Sequence, residues 1–491
     1  MSFLNNIQKY VVLVLLGLVL FFNNSVSAKP NLYEGTLIER VENYIQNELS
    51  QSGVPGAAIA LVDNGKIIFN RGYGTANSFG EDVNLDTPFQ VASLSKSFTA
   101  LSVLQLVDEG RLHLDKPVVN YLSEFQTDNK AESDKITLRH LLTHRSGIST
   151  MDGNLYQGNQ YRGDDALNRA TAILRKAKLK HLPGEAFVYS NANYAVLGHV
   201  LETIEQELFE AILKRRVFNP LNMKNSYVQL PYGDAKTEAN GYRHWFGLTV
   251  EQPFTAGRMM GPAGGVVSSA NDMGKYIAAM SDPTTDLLSP EMRVEMLTGQ
   301  LAWEDTFYGM GWGIRRDDQG EFIFHEGLNP GFKSVAGFYT ATGDGVVVMT
   351  NRSSSLSDNF VLSVLDIAQA RNPRSYRPSA SAIGQLLFVL ILALILCVGL
   401  SLNFWTLLRK KQKLFRAESK LYNIAFAWIA PLCLFATAYS LVVWLPSLNS
   451  MTLPSIFAFY PDIALCLSVG GFAALLWGCM LVLQYIRFIL T

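Results

Sequence analysis

Ser93 and Lys96 stand three positions apart, at the head of a segment in which Leu94, Phe98, Leu101, Leu104 and Val107 recur at helical intervals before Gly110. On a helix that spacing puts both side chains on one face, so a hydroxyl and an amine can touch. A serine hydroxyl is a poor nucleophile until a base takes its proton. A lysine whose ammonium is disfavoured by burial can be that base or assist one. A helix N-terminus adds a potential favourable to developing negative charge. As a bare pattern S-x-x-K is weak, because about one chance match is expected in a chain of this composition. Here it occurs once, behind the strand-like Phe89-Gln90-Val91 and ahead of a buried-looking helix.

Two further pieces could complete such a site. In Tyr189-Ser190-Asn191 a phenol and a carboxamide separated by one residue can face the same way in an extended turn. The phenol could shuttle a proton between the serine and the leaving group, and the amide could hold a substrate carbonyl. His325-Glu326-Gly327 ends a strand-like run. Gly327 would let a substrate pair closely with the strand edge, and the backbone N–H of Leu328 could join that of Ser93 in an oxyanion hole. Taken singly, the first piece is by default a core tyrosine beside a turn asparagine, and the second a structural histidine. Each gains weight only from the others.

The elements that must carry these residues are legible in outline. Thr36-Leu37-Ile38-Glu39 has the form of a capping box, and the apolar spacing behind it predicts a helix over Thr36 to Ser50. Gly56 to Val62 and Lys66 to Phe69 flank Asp63-Asn64-Gly65 and predict a hairpin. Phe322 to His325, Val335 to Tyr339 and Val346 to Thr350 are strand-like, and Val361 to Ala370 returns to a helical pattern. The two ends of this globular part can therefore share one antiparallel sheet, with a mostly helical middle inserted between them.

Of the 491 residues, 48% are hydrophobic and 17% charged, and the apolar excess is concentrated beyond Ala382. Three stretches there, 382–408, 421–445 and 463–486, are free of charge and long enough to cross a bilayer. They make 382–491 a membrane domain, joined by a linker at 373–381 to a globular domain at 29–372. No Asp, Glu, Lys, Arg or His lies within the spans, which favours an anchor or assembly surface over an ion path. Pro431 should kink the second span. Residues 1–28, with Lys9, the apolar run Val11 to Phe22 and the small residues Val26-Ser27-Ala28, have the layout of a signal peptide. The cluster Arg409, Lys410, Lys411 and Lys413 between the first two spans predicts a cytoplasmic loop. The globular domain is then extracytoplasmic, although Arg371, Arg374 and Arg377 pull the other way.

A net charge of −1 provides no basic face for nucleic acid. All four cysteines, Cys397, Cys433, Cys466 and Cys479, lie in the apolar C-terminal part, and the seven histidines show no metal-binding spacing. Neither a cofactor nor a metal is expected. The partners expected are the lipid bilayer and a small-molecule or peptidoglycan-like substrate.

In their order, S-x-x-K, Y-x-N and H-x-G resemble the active-site motifs of the serine β-lactamase-related family, which includes class C β-lactamases, D-alanyl-D-alanine carboxypeptidases and related esterases. Leu141-Leu142-Thr143-His144-Arg145-Ser146-Gly147-Ile148, Gly264-Gly265-Val266-Val267-Ser268-Ser269 and Tyr308-Gly309-Met310-Gly311-Trp312-Gly313 are similar to further stretches of that family. The layout with three C-terminal spans resembles its FmtA-like membrane proteins. The resemblance implies an α/β (α+β) β-lactamase/transpeptidase-like fold, with an antiparallel sheet flanked by helices plus a helical region, followed by three transmembrane helices. It also implies acyl transfer through Ser93, with Lys96 and Tyr189 moving protons, while Asn191, His325, Gly327 and Leu328 bind substrate. His144 is read as structural. Histidine replaces the usual lysine of the third motif, and a mostly neutral side chain attracts a substrate carboxylate less. An esterase or peptidase acting on the cell envelope is therefore expected over an efficient β-lactamase. The competing reading is a catalytically silent envelope sensor or binding protein.

Overall fold

The computed structural model describes residues 36–156, 161–229, 238–246, 248–251, 254–303, 305–353, 363–364, 366–367, 371–372, 380–408 and 428–490. The signal peptide, most of the linker, the basic cluster, residues 421–427 and most of the pattern from Val361 to Ala370 fall outside them.

Helix α1 (Leu37–Ser52) starts at Thr36, whose side chain and that of Glu39 cap each other's backbone N–H groups, as the capping-box pattern predicts. Strands β1 (Gly56–Asp63) and β2 (Lys66–Gly74) follow as a hairpin. Asn64 and Gly65 take φ of 46° and 73° at its turn, the left-handed conformations that a tight hairpin requires. The other sheet strands come much later: β3 (Gln300–Trp303), β4 (Thr306–Tyr308), β5 (Gly313–Asp317), β6 (Gly320–Asn329), β7 (Phe332–Tyr339) and β8 (Gly345–Thr350). Among the described residues these form one antiparallel eight-stranded sheet in the order β2-β1-β8-β7-β6-β5-β4-β3. The two ends of the domain do share a sheet, and β3 to β5 extend it beyond what the apolar patterns indicate.

Both faces of the central strands are covered, which is why β1 is buried at seven consecutive positions. Ile59 and Leu61 face one way, against Val41, Tyr44 and Ile45 of α1. Ala58 and Ala60 face the larger core of the inserted helical region. That region contains α2 (Ser95–Asp108), α3 (Asn191–Glu205) and α4 (Ala270–Ser281). A small sheet pairs Phe89–Gln90 and Tyr227–Val228 with Val266–Ser268, and so locks the segment ahead of Ser93 to the stretch Gly264–Ser269.

Asn351, fully buried, ties the sheet ends together. Its Oδ1 accepts from the Gly56 N–H at 2.7 Å, and its Nδ2 donates to the carbonyls of Thr75 and Ala76 at 3.0 and 3.2 Å.

Helices α5 (Ala380–Leu408), α6 (Ala430–Tyr439) and α7 (Pro461–Leu490) form the C-terminal bundle. Three described helical stretches, 387–404, 430–448 and 461–487, are long and apolar enough to cross a membrane. Pro431 follows closely on the π-helical residues Trp428 and Ile429, so the helix departs from α geometry beside it, while residues 421–427 lie outside the described residues. A second departure from α geometry comes at Ser440–Trp444, a π turn.

Asn351→Leu leaves the Gly56 N–H and the Thr75 carbonyl buried without this partner, at about 1–3 kcal/mol for each group left unsatisfied, while the Ala76 carbonyl keeps the Asn240 N–H at 2.8 Å. A clear drop in the thermal unfolding midpoint of the full chain in detergent is expected; an unchanged midpoint would show that these groups find other partners.

Candidate active site

Lys96 lies at the centre of the site, with none of its surface exposed. Its Nζ is 2.8 Å from Asn191 Oδ1, 2.7 Å from the Ala263 carbonyl oxygen and 3.1 Å from Ser93 Oγ. Burial holds its pKa well below that of free lysine. Ser93 sits one turn earlier than the helical spacing suggests, in a 3-10 turn, Ala92–Leu94, that runs into α2. The i to i+3 contact survives because a 3-10 turn also brings residues three apart together.

This turn is strained and braced. Ala92 takes φ of 50°, uncommon for a residue with a Cβ. Ser95 Oγ–H donates to the Ala92 carbonyl at 2.6 Å while its oxygen accepts the Val266 N–H at 2.9 Å. Ser334 Oγ–H donates to the Val91 carbonyl at 2.7 Å. Asn329 Nδ2 bridges Gln90 Oε1 and the Gly264 carbonyl, each at 3.0 Å.

Tyr189 is brought to the same place, its phenol a hydrogen-bond partner of the Ser93 hydroxyl, and burial raises its pKa. Lys96 Nζ lies 4.8 Å from the centre of its ring. Asn191 opens α3 and, through the 2.8 Å contact, engages Lys96 directly. His144 holds this segment in place. Its Nδ1 accepts the Ser190 N–H at 3.2 Å and lies 3.0 Å from Asn193 Nδ2, and its ring packs against those of Tyr189, Tyr194 and Tyr308. A nitrogen that accepts a backbone N–H carries no proton, so His144 is a spacer and acceptor here. Burial pushes its pKa well down.

His325 closes the opposite wall. Its Nδ1 is 2.6 Å from the Glu326 carbonyl oxygen, so that nitrogen carries the proton and donates. Nε2, 3.1 Å from the Tyr308 hydroxyl, is then the acceptor. Burial pushes its pKa down to about 3. The imidazole is neutral, and both nitrogens are engaged.

Strand β5 pairs with β6 only as far as Phe324, so His325 to Asn329 have β7 on one side and an open edge on the other. The Leu328 side chain points out of this segment, 42% exposed. Gly327 has a packing reason beside the one its spacing suggests. A Cβ there would run into the Val91 carbonyl oxygen and Ser334 Oγ, so glycine lets the nucleophile's turn pack on the strand. Asn154 and Tyr308 belong to the site but carry no motif position of their own. Tyr308 was visible only as part of Tyr308-Gly309-Met310-Gly311-Trp312-Gly313, and nothing in the local sequence distinguishes Asn154.

The comparisons with known proteins agree with this geometry. The beta-lactamase family matches residues 41–370. The chain belongs to the beta-lactamase family. Protein flp of Staphylococcus aureus (strain MRSA252) is 25% identical over 422 residues, 84% of this chain and 82% of that protein. The octameric penicillin-binding protein homologue of Pyrococcus abyssi superposes with a TM-score of 0.60 at 26% identity, over 71% of this chain and 81% of that one. EstCE1, a hydrolase with promiscuous acyltransferase activity, shares the fold with a TM-score of 0.60 at 20% identity, over 68% of this chain and 98% of its own. The β-lactamase/transpeptidase-like fold is therefore the fold of this chain.

The buried imidazole gives acid sensitivity a direction. Between about pH 3 and pH 6.5 the unfolded His325 binds a proton that the folded one refuses. Its contribution to stability is complete above pH 6.5 and is lost as pH falls towards 3; the lowered pKa of His144 acts with the same sign. The unfolding midpoint should fall as pH drops below 6.5, with a shallower fall in His325→Gln. An identical slope in that variant would contradict the assignment.

Proposed function

We propose that the chain is a membrane-anchored serine hydrolase that forms an acyl-enzyme on Ser93 from ester, amide or lactam substrates, its catalytic domain on the extracytoplasmic side. The observation that carries this reading is the environment of Lys96. The amine is fully buried, burial is the cause of its lowered pKa, and two carbonyl-type oxygens lie at 2.7 and 2.8 Å. A neutral amine has two N–H bonds and one lone pair. The N–H bonds go to Asn191 Oδ1 and the Ala263 carbonyl, and the lone pair is left for the Ser93 O–H.

As Ser93 Oγ attacks the substrate carbonyl, its proton passes to Lys96 Nζ and the carbonyl oxygen takes up negative charge. The backbone N–H groups of Ser93 and Leu328 stabilise that oxygen. Tyr189 delivers a proton to the leaving group as the C–O or C–N bond breaks, and Lys96 restores it. Water then repeats the sequence in reverse roles, releasing the acid and free Ser93. The raised pKa of Tyr189 keeps it protonated at rest, able to donate.

Neutral His325, with both nitrogens engaged, supplies no cation for a carboxylate beside the scissile bond. That favours an ester or amide of an uncharged acyl group, an esterase or amidase role, over efficient β-lactam turnover. A silent binding protein would have no need of a buried amine in place of an apolar side chain, which costs stability.

A fluorophosphonate should add its mass to the full chain at Ser93, and neutral p-nitrophenyl esters should be turned over faster than carboxylate-bearing analogues. Ser93→Ala should lose the adduct and at least about 10³-fold in kcat/KM. An adduct of equal yield in Ser93→Ala would refute the assignment.

A further inference from the structure

The membrane helices touch the catalytic domain at the rim of its site. Asn154 Nδ2 donates to the Ser450 carbonyl at 2.6 Å, and Ser450 lies two residues beyond the apolar stretch that ends at Leu448. Asn154 Oδ1 in turn accepts from Asn191 Nδ2 at 3.5 Å, and Asn191 holds Lys96. Gly153 allows this approach, since a Cβ there would meet the Asn191 backbone nitrogen at 2.6 Å. Four steps of about 3 Å therefore link Ser93 to the loop between two apolar helices, which sets the nucleophile on the order of 15 Å from it.

A second contact lies nearby in the fold. The Phe246 N–H donates to Asp462 Oδ2 at 3.2 Å, at the second residue of α7. Phe246 belongs to the hairpin of Tyr242–Trp245 and Leu248–Glu251, on which Leu248 is 65% exposed and Val250 43%. Leu155, next to Asn154, is 50% exposed. Rising 1.5 Å per residue, the apolar parts of α7 and of the helix ending at Leu448 begin within about one turn of both contacts. An apolar, Trp245-bearing hairpin at that level is in the place where side chains meet the headgroup region of a bilayer.

From these contacts we infer that the hydrolase domain rests on the leaflet beside it, and that its substrate is an amphiphile held in that leaflet. The scissile ester or amide is on a polar arm of the amphiphile, within about 15 Å of the hydrocarbon surface. The inference rests on the serine-hydrolase reading and narrows it. A substrate delivered along the membrane needs only lateral diffusion to reach Ser93, and its tail supplies binding energy that the neutral pocket does not take from a carboxylate.

The test uses the full chain in phosphatidylcholine–phosphatidylglycerol vesicles and three fluorogenic esters with one acyl group. One is soluble; two are tied to a diacylglycerol through polyproline arms of about 10 Å and about 40 Å, at roughly 3.1 Å per residue. The short-armed lipid ester should be hydrolysed at least tenfold faster than the soluble one and faster than the long-armed one. Leu248→Asp should remove most of that advantage while leaving soluble-ester turnover unchanged, which also shows that the variant is folded. Equal rates on all three, or a long arm that outperforms the short one, would overturn the inference while Ser93-dependent soluble turnover kept the hydrolase reading intact. No turnover of any ester would overturn both.

Discussion

A single buried amine organises this site. Removing a lysine ammonium from water without a carboxylate beside it is costly, and the least costly way to accommodate the side chain is to make it neutral. Neutrality then dictates geometry. Two oxygens must take the N–H bonds, and Asn191 and Ala263 provide them from elements 95 and 167 residues away in the chain. The remaining lone pair has one polar neighbour, the Ser93 hydroxyl.

The scaffold can be understood as the means of holding that arrangement. The short sheet through Phe89–Gln90 and Val266–Ser268 fixes the serine's approach to the stretch that presents Ala263. Ser95 and Ser334 brace the turn at its left-handed Ala92, where strain would otherwise relax the nucleophile away from the amine. On the other side His144 fixes the Tyr189-Ser190-Asn191 segment by accepting a backbone N–H. The same histidine, neutral and walled by three tyrosine rings, adds no charge that would compete with Lys96 for a proton. Stability is conceded locally so that a base can be ready at neutral pH.

Much of this was legible in the residues because local rules act over a few positions. The capping box at Thr36, the hairpin turn at Asn64-Gly65 and the apolar helices depend on neighbours three or four apart, and they form where expected. The three motifs pointed to a converging site because each is a short unit with its own chemistry. Long-range reasons stayed hidden. Gly327 reads as a substrate edge from its neighbours, yet the atoms that demand glycine belong to Val91 and Ser334. The Ala263 carbonyl has no side-chain signature, and Asn154 looks like any turn residue until Ser450 is placed beside it. Strands β3 to β5 are only three to five residues long, so alternation could not single them out.

The most direct test of the central claim is the pH dependence of the first acylation step on the full chain, followed by rapid mixing with a p-nitrophenyl ester in excess over enzyme. If Lys96 is the neutral base, the burst rate rises through an apparent pKa well below the ordinary lysine value of about 10.5 and levels off well before pH 10. A burst rate that climbs tenfold per pH unit from pH 7 to pH 10 would show a lysine that is still charged, and the account would fail.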